Sequence, residues 1–552
     1  DITNLKIMGG NTTDNGGGIQ IKGTSPWNAS TCPRVNLKSG TLIQQNQAVL
    51  GGGVYSYYSI LSLSGSATIG TNADNPDRSS ADTALSTGIN KASTSGGGIY
   101  SLYSYLYLGA AWISGAPVTD GYTLTKGIYG NVCTVSSSAS DYDKKRGAGG
   151  LYLASGPGYF LSGNINCNYG ILTGGVYNNN NKTSDYGLHF SGGSIHKNTG
   201  LGVYNDTNGQ LCMCGSACIG DSGANSVATS DTDCSNSKGG LQNIGITKLG
   251  YGYGSKSKLS GGIIRNYGGS GAGITNKGTL LFDSGTIAYN CASTNGGGIY
   301  STTTVNMTSS SDSQYSSITN NSANNGGGLF LSGTDAKLFM TGYAIIGTNG
   351  QSAPPSDNTV SGINKAKMGG GIYAESGASM YFGYSSYTNS ETNTAVTLNG
   401  GVCYNYASQY GGGIYCNGYV SAIEIRMNSG NINANKTYNT STSYGMGGGV
   451  WMNYSCDLYM SGGTINKNFA SRFGGGVYLS KDARLFMYGT ALIGETGATL
   501  ATDSSYGNTA ITGGGVYAKG EGGGNEDKRP RVFLGVHRDT GESISFTDLD
   551  SD

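Results

Sequence analysis

Short apolar runs alternate with longer polar ones along the chain, and the apolar runs recur in a fixed order. The segment from Ser461 to Gly489, SGGTINKNFASRFGGGVYLSKDARLFMYG, shows the pattern most clearly. In its last apolar run Leu485 and Met487 alternate with Phe486 and Tyr488. In the middle run Val477 and Leu479 face one way and Tyr478 the other. A period of two predicts strands, here very short and bounded by Gly, Asn and Ser. No segment carries a sustained 3.6-residue apolar stripe with caps, so helix is not expected.

The same grammar repeats along the chain. Glycine-rich pieces of the form GGG-[IVL]-aromatic begin at Gly51, Gly96, Gly296, Gly326, Gly369, Gly411, Gly447, Gly474 and Gly513, with looser versions at Gly16, Ala148 and Gly174. A second piece, SG-x-I-x-x-N in outline, begins at Ser39, Ser191, Ser260, Ser284, Ser429 and Ser461, and a third at Ala336, Cys456 and Ala483. Three strands in a unit of roughly 27 residues, repeated, predict a parallel β-helix, each coil burying its apolar face only against its neighbours. The usual hand of parallel crossovers predicts the right-handed form. Roughly twenty coils at about 4.8 Å each would span about 100 Å. Long polar insertions follow SATIGTN (Ser66), YAIIGTN (Tyr343) and TALIGETG (Thr490). They are expected to project from one corner, where binding faces often form. The expected organisation is β-helix over 1–204, an irregular, cysteine-containing, decorated segment of the same solenoid over 205–253, β-helix again over 254–534, and a C-terminal tail or cap over 535–552.

These motifs resemble the repeats of bacterial surface β-helix proteins. The chlamydial polymorphic membrane proteins carry GGA-[ILV] and FxxN motifs. Here Gly474-Gly475-Gly476-Val477 stands in place of the first and Ile465-Asn466-Lys467-Asn468 in place of the second. Repeat-rich surface proteins of treponemes and gut bacteria are similar too. The resemblance runs from about Leu5 to Leu534 and implies export, display at the cell surface or outside the cell, and an adhesive or structural role. No terminal segment resembles an outer-membrane barrel of alternating strands, so an anchor of that kind is not expected in this chain.

Composition narrows the chemistry. Charged residues are only 12% and the formal net charge is zero, so neither nucleic acid nor an anionic membrane is the expected partner. No run approaches the roughly 20 apolar residues of a membrane-spanning helix. The three histidines, His189, His196 and His537, lack the flanking glycines of pectin-cleaving hydrolases of this fold. The nearest aspartate pair, Asp231 and Asp233, reads as polar loop. A catalytic role is not expected, and neither a cofactor nor a metal is predicted. A polysaccharide lyase or hydrolase remains the alternative, to be recognised by a surface groove where Asp, Lys and Arg converge.

Two residue sets stand out. Tyr55, Tyr100, Tyr300, Tyr373, Tyr415, Tyr478 and Tyr517 hold one place in the unit, with Trp451 and Phe330 substituting. Stacked coils should set them in a file, which either binds sugar rings or simply stacks on itself; self-stacking is preferred. Cys212, Cys214, Cys218 and Cys234 cluster, which suggests local disulfides or small buried residues. The chain also begins and ends in mid-repeat, as in NLKIMGGN from Asn4 and RVFLG from Arg531. A fragment of a longer protein, or head-to-tail self-association, would account for that. The expectation is a non-catalytic surface rod, with a glycan-binding adhesin as the second reading.

Overall fold

The computed structural model describes residues 1–25, 28, 30–71, 88–113, 116–180, 187–227, 230, 235–252, 257–309, 311–386, 394–495, 507–520 and 529–535. They are nearly all β, with large parallel sheets. The chain forms two compact units, 1–330 and 331–552.

In the first unit each coil lays down three strands in turn. One coil contributes Leu42–Gln44, Val54–Tyr57 and Ile60–Leu63, and the next contributes Thr68–Gly70, Ile99–Leu102 and Tyr105–Leu108. Equivalent strands pair in parallel and in register: Ile43 with Ile69, Val54 with Ile99, Leu61 with Leu106. The unit is therefore a parallel β-helix with three faces. On the first face one inward residue per coil is isoleucine. Ile43, Ile69, Ile128, Ile165 and Ile195 follow one another in register, each fully buried. β-Branched side chains suit that position because they fill a pleated, buried surface with little rotamer freedom to lose.

The corner after this face is held by asparagine. Asn46, Asn90, Asn131, Asn168, Asn198, Asn236, Asn266, Asn290 and Asn321 form a continuous ladder. Each from Asn46 to Asn290 donates one amide hydrogen to the next Asn Oδ1 and the other to a backbone carbonyl, as Asn90 does to Ile43 O at 2.8 Å. The same Oδ1 also accepts the preceding ladder residue's backbone N–H, as in Asn266 N to Asn290 Oδ1 at 2.9 Å. All nine side chains are buried, and the sharing of bonds along the ladder satisfies them without water. The next corner belongs to the glycine runs. Gly296 has φ of 64°, and a Cβ on Gly297 or Gly298 would lie 2.5 or 2.6 Å from the carbonyl oxygen of Gly327 or Gly328 in the next coil. The first glycine turns the chain; the other two let the coils touch.

The second unit repeats the plan. Its first face contains Ile345–Gly347, Gly401–Cys403, Asn431–Asn433, Thr464–Asn466 and Leu492–Ile493, paired in parallel. A second asparagine ladder joins Asn364, Asn405, Asn435, Asn468 and Asn508. Two strands, Ile414–Met427 and Val450–Met460, run from the second face through the corner onto the third without a break.

Where the motif weakens the coils continue, and one element departs from the expected strands. The segment 205–253 keeps the three-face plan through Gln210–Met213, Cys218–Gly220, Leu241–Asn243 and Ile246–Leu249, all paired in register with neighbouring coils. Ladder bonds hold it where the glycine motif fades: Asn205 donates to Asn243 at 2.8 Å and Asn198 to Asn236 at 3.2 Å. A short helix also interrupts the strands, α1 at Asp141–Arg146. Ser140 caps it by accepting from the Asp143 N–H, and acidic residues fill its first turn and basic residues its last. That arrangement favours helix without any apolar stripe.

Candidate functional site

The tyrosines form the expected file, and the file is longer than the motif shows. In the first unit Tyr55, Tyr100, Tyr152, Tyr177 and Tyr204 stack in succession, with centroids 5.5, 4.3, 5.0 and 5.8 Å apart. Tyr152 and Tyr177 close the looser glycine motifs at Ala148 and Gly174, while Tyr204 follows a motif too degenerate to mark it. Gln242 and Thr275 interrupt the file before Tyr300, which stacks on Phe330 at 5.4 Å. The second unit has a file of its own, in which Tyr373, Tyr415, Trp451, Tyr478 and Tyr517 stack without a break at 4.7, 4.5, 5.9 and 5.3 Å.

Most of these rings are buried. Each ring's faces are turned to its neighbours in the file, so little apolar face is left for a sugar ring. Helix α1 covers part of the first file: Arg146 donates to the Tyr152 hydroxyl at 2.9 Å, and the Tyr177 hydroxyl donates to Asp206 at 2.5 Å. Burial pushes the Tyr204 and Tyr373 hydroxyls up to about 12. The phenols stay neutral at any physiological pH.

Cys214 and Cys218 are free thiols, and the buried Cys212 thiol accepts from Gln210 at 3.5 Å. Cys212 lies on the third face beside His189 and Lys248, and Cys218 on the first face beside Ser194 and Gly262. Cys234, His537, Asp231 and Asp233 lie outside the described residues. His196 is half-buried and bonded to Ser194 and Asn166, while His189 stacks on Tyr159 at 5.3 Å. Among the described residues no three His, Cys, Asp or Glu side chains gather to ligate a metal, and no helix is long and apolar enough to cross a membrane.

Among the described residues, charged side chains gather on the outer side of the third face in the second unit. Glu424, Asp457, Arg484 and Arg531 stand in register on successive coils. Period two puts Tyr459, Phe486 and Phe533 beside them on the same side, stacked at 4.6 and 4.5 Å. Arg484 forms a two-pronged pair with Asp457, Nε to Oδ1 at 2.7 Å and Nη2 to Oδ2 at 2.6 Å. That pairing raises the guanidinium's proton affinity further. Ser455 donates to Asp482 at 2.8 Å. Together with Ala422, Arg529 and Arg531 these groups line a shallow pocket of about 240 Å³.

The corner beside the pocket bulges. Gly418 pairs with Tyr454 and Ile423 with Cys456, so the intervening stretch of the longer strand loops outward. It exposes Tyr419 at 70% and Val420 at 78%. Tyr419 meets Tyr454 edge to face at 4.8 Å, and the Lys481 ammonium sits 3.6 Å from the Tyr454 ring centre. None of these residues is in the aromatic file or the cysteine cluster. Comparison with family models, curated proteins and solved structures finds no match to this chain.

Proposed function

We propose that this chain is a non-catalytic scaffold exported to the cell surface or beyond it, with a structural or adhesive role. The observation that carries the reading is where the polar residues go. Buried asparagines are spent bonding coil to coil rather than converging on a cleft, and the aromatic file is stacked on itself. Both devices rigidify a repeated stack, and in the third-face pocket, where Asp and Arg do converge, Asp457 is tied to Arg484 and Asp482 accepts from Ser455, so assay on polysaccharides decides between scaffold and lyase or hydrolase. The motif resemblance to bacterial surface β-helix repeats supports the location. An adhesive role would use outer side chains or corner loops, since the faces of the aromatic file are occupied.

Protease shaving of intact source cells, followed by immunoblotting for the chain, tests the location. Loss of the protein from unbroken cells is expected; protection until lysis overturns surface display. Incubation of the purified chain with neutral and acidic polysaccharides should release neither reducing nor unsaturated ends. Steady release of either overturns the non-catalytic reading.

A further inference from the structure

We infer that Cys416 and Cys456 form a disulfide that staples two successive coils of the second unit at the corner between its second and third faces. Cys416 closes the second-face stretch of one coil and Cys456 opens the third-face stretch of the next, within the paired strands Ile414–Met427 and Val450–Met460. Both are 0% exposed, as inward residues of the core. Register sets Met452 beside Cys416 and Ile423 beside Cys456. Between Met452 and Cys456 the chain turns at Tyr454, whose φ is 60°. A turn there draws together the inward side chains on its two sides. The Cys456 thiol donates to Asn453 O at 3.1 Å, and its sulfur lies within hydrogen-bonding reach of the Cys416 thiol. The same two stations touch across a coil boundary in the first unit. Asn276, third in its second-face strand as Cys416 is, donates to the Thr303 hydroxyl at 3.1 Å. Thr303 stands two residues before the buried Val305, as Cys456 stands before Leu458.

Two thiols in contact need an oxidant to join, and a small exchangeable disulfide such as oxidised glutathione is of the right class. The thiolate of one cysteine attacks it, forming a mixed disulfide and releasing one glutathione thiolate. The thiolate of the other cysteine then attacks its partner's sulfur, closing the Cys416–Cys456 bond and releasing the second glutathione. The pair gives up two electrons and two protons, and the two sulfurs of the oxidant take them up. Both cysteine sulfurs are buried, so exchange runs while the coils fold or open transiently. Burial then shields the finished bond from reductant. The link closes the chain from 416 to 456 into a loop and so removes freedom from the unfolded state. It does so where the register slips between Gly418 and Ile423 and hydrogen bonds between the coils are interrupted. An oxidising compartment supplies the oxidant. The bond's presence in the source cells rests on the export proposed above; its formation by the purified chain does not.

The purified full chain, held with oxidised glutathione at mildly alkaline pH just below its melting temperature, tests the inference. It is then alkylated, digested without reductant and sequenced by mass spectrometry. A peptide pair joined through Cys416 and Cys456 is expected, assigned by fragmentation because Cys403 shares a tryptic peptide with Cys416. The oxidised chain should melt about 5 °C above the same chain reduced. Alanine already fills both stations in adjacent coils: Ala374 is in register with Cys416, and Ala483 precedes Arg484, which pairs with Asp457. Cys416→Ala and Cys456→Ala therefore keep the stack. Each should lack the linked peptide and close the gap between oxidised and reduced midpoints. Recovery of both cysteines as alkylated thiols overturns the inference. So does linkage of either one to a different cysteine, or a midpoint gap that survives in Cys416→Ala.

Discussion

At the scale of the residue, two solutions to a tight corner coexist. Glycine takes one corner for reasons its neighbours make plain, since any Cβ on Gly297 would run into the Gly327 and Ser322 carbonyl oxygens at 2.5 Å. Gly297→Ala should therefore fail to fold or lose most soluble yield, because the clash is with backbone. Gly269→Ala, with open space around the added carbon, should express and melt like the parent. Soluble yield and melting temperature of the two variants check the contrast; equal behaviour would sink the close-approach account. The asparagine corner works differently. Gln45, Cys167, Lys197, Arg265, Tyr289 and Ala434 all have φ between 52° and 60° immediately before a ladder asparagine. Such diverse residues do not favour that conformation by themselves. The ladder imposes it on whichever residue stands there. Glycine corners were accordingly legible in the sequence, and these were not.

At the scale of the element, the face strands and ladders divide the labour between apolar and polar stacking. The SG-x-I-x-x-N piece predicted its strand and its buried isoleucine. Its closing asparagine looked like mere punctuation, because the partners that give it meaning lie one coil away. Asn290→Ala removes the acceptor for the Asn266 N–H and amide, and both donors to Ile263 O and Asn321. Stranded buried donors cost about 1–3 kcal/mol each, so a loss of about 3 kcal/mol is expected. Asn324→Ala, which gives up one exposed bond to Ser293, should change stability by less than about 0.5 kcal/mol. Urea midpoints of both variants, read with hydrogen exchange at Asn266, measure the difference. Indistinguishable midpoints would mean the ladder is ornament. The charged pocket was illegible for a related reason. Glu424, Asp457, Arg484 and Arg531 become neighbours only once every intervening loop has been counted out into coils. Tyr419 stands out of the stack only because its coil bulges there.

At the scale of the whole molecule, burial of weak acids sets the response to pH. Burial pushes Cys133, Cys218 and Cys403 from 9.0 to about 12, and Tyr204 and Tyr373 from 10.0 to about 12. In each case the folded state holds its proton more tightly than the unfolded chain does. The stability these groups contribute is thus present below about pH 9 and is lost as pH rises toward 12. Circular dichroism melts between pH 8 and 12 should show a falling midpoint that begins above pH 9; a flat profile to pH 12 would refute the burial of these groups. The general plan, a three-faced parallel β-helix, was readable because repetition states it many times over. What single coils add was hidden by their unequal length, and that inequality has a consequence of its own. Asn266 and Asn290 are 24 positions apart and Asn46 and Asn90 are 44, yet both pairs share the same 3.0 Å bond. A coil's contour is free while its footprint on the stack is fixed. Tandem duplication, deletion or lengthening of single coils in the gene thus leaves the neighbours undisturbed. A lineage carrying this chain can redraw the outer side of the stack, coil by coil, and never have to reinvent the fold beneath.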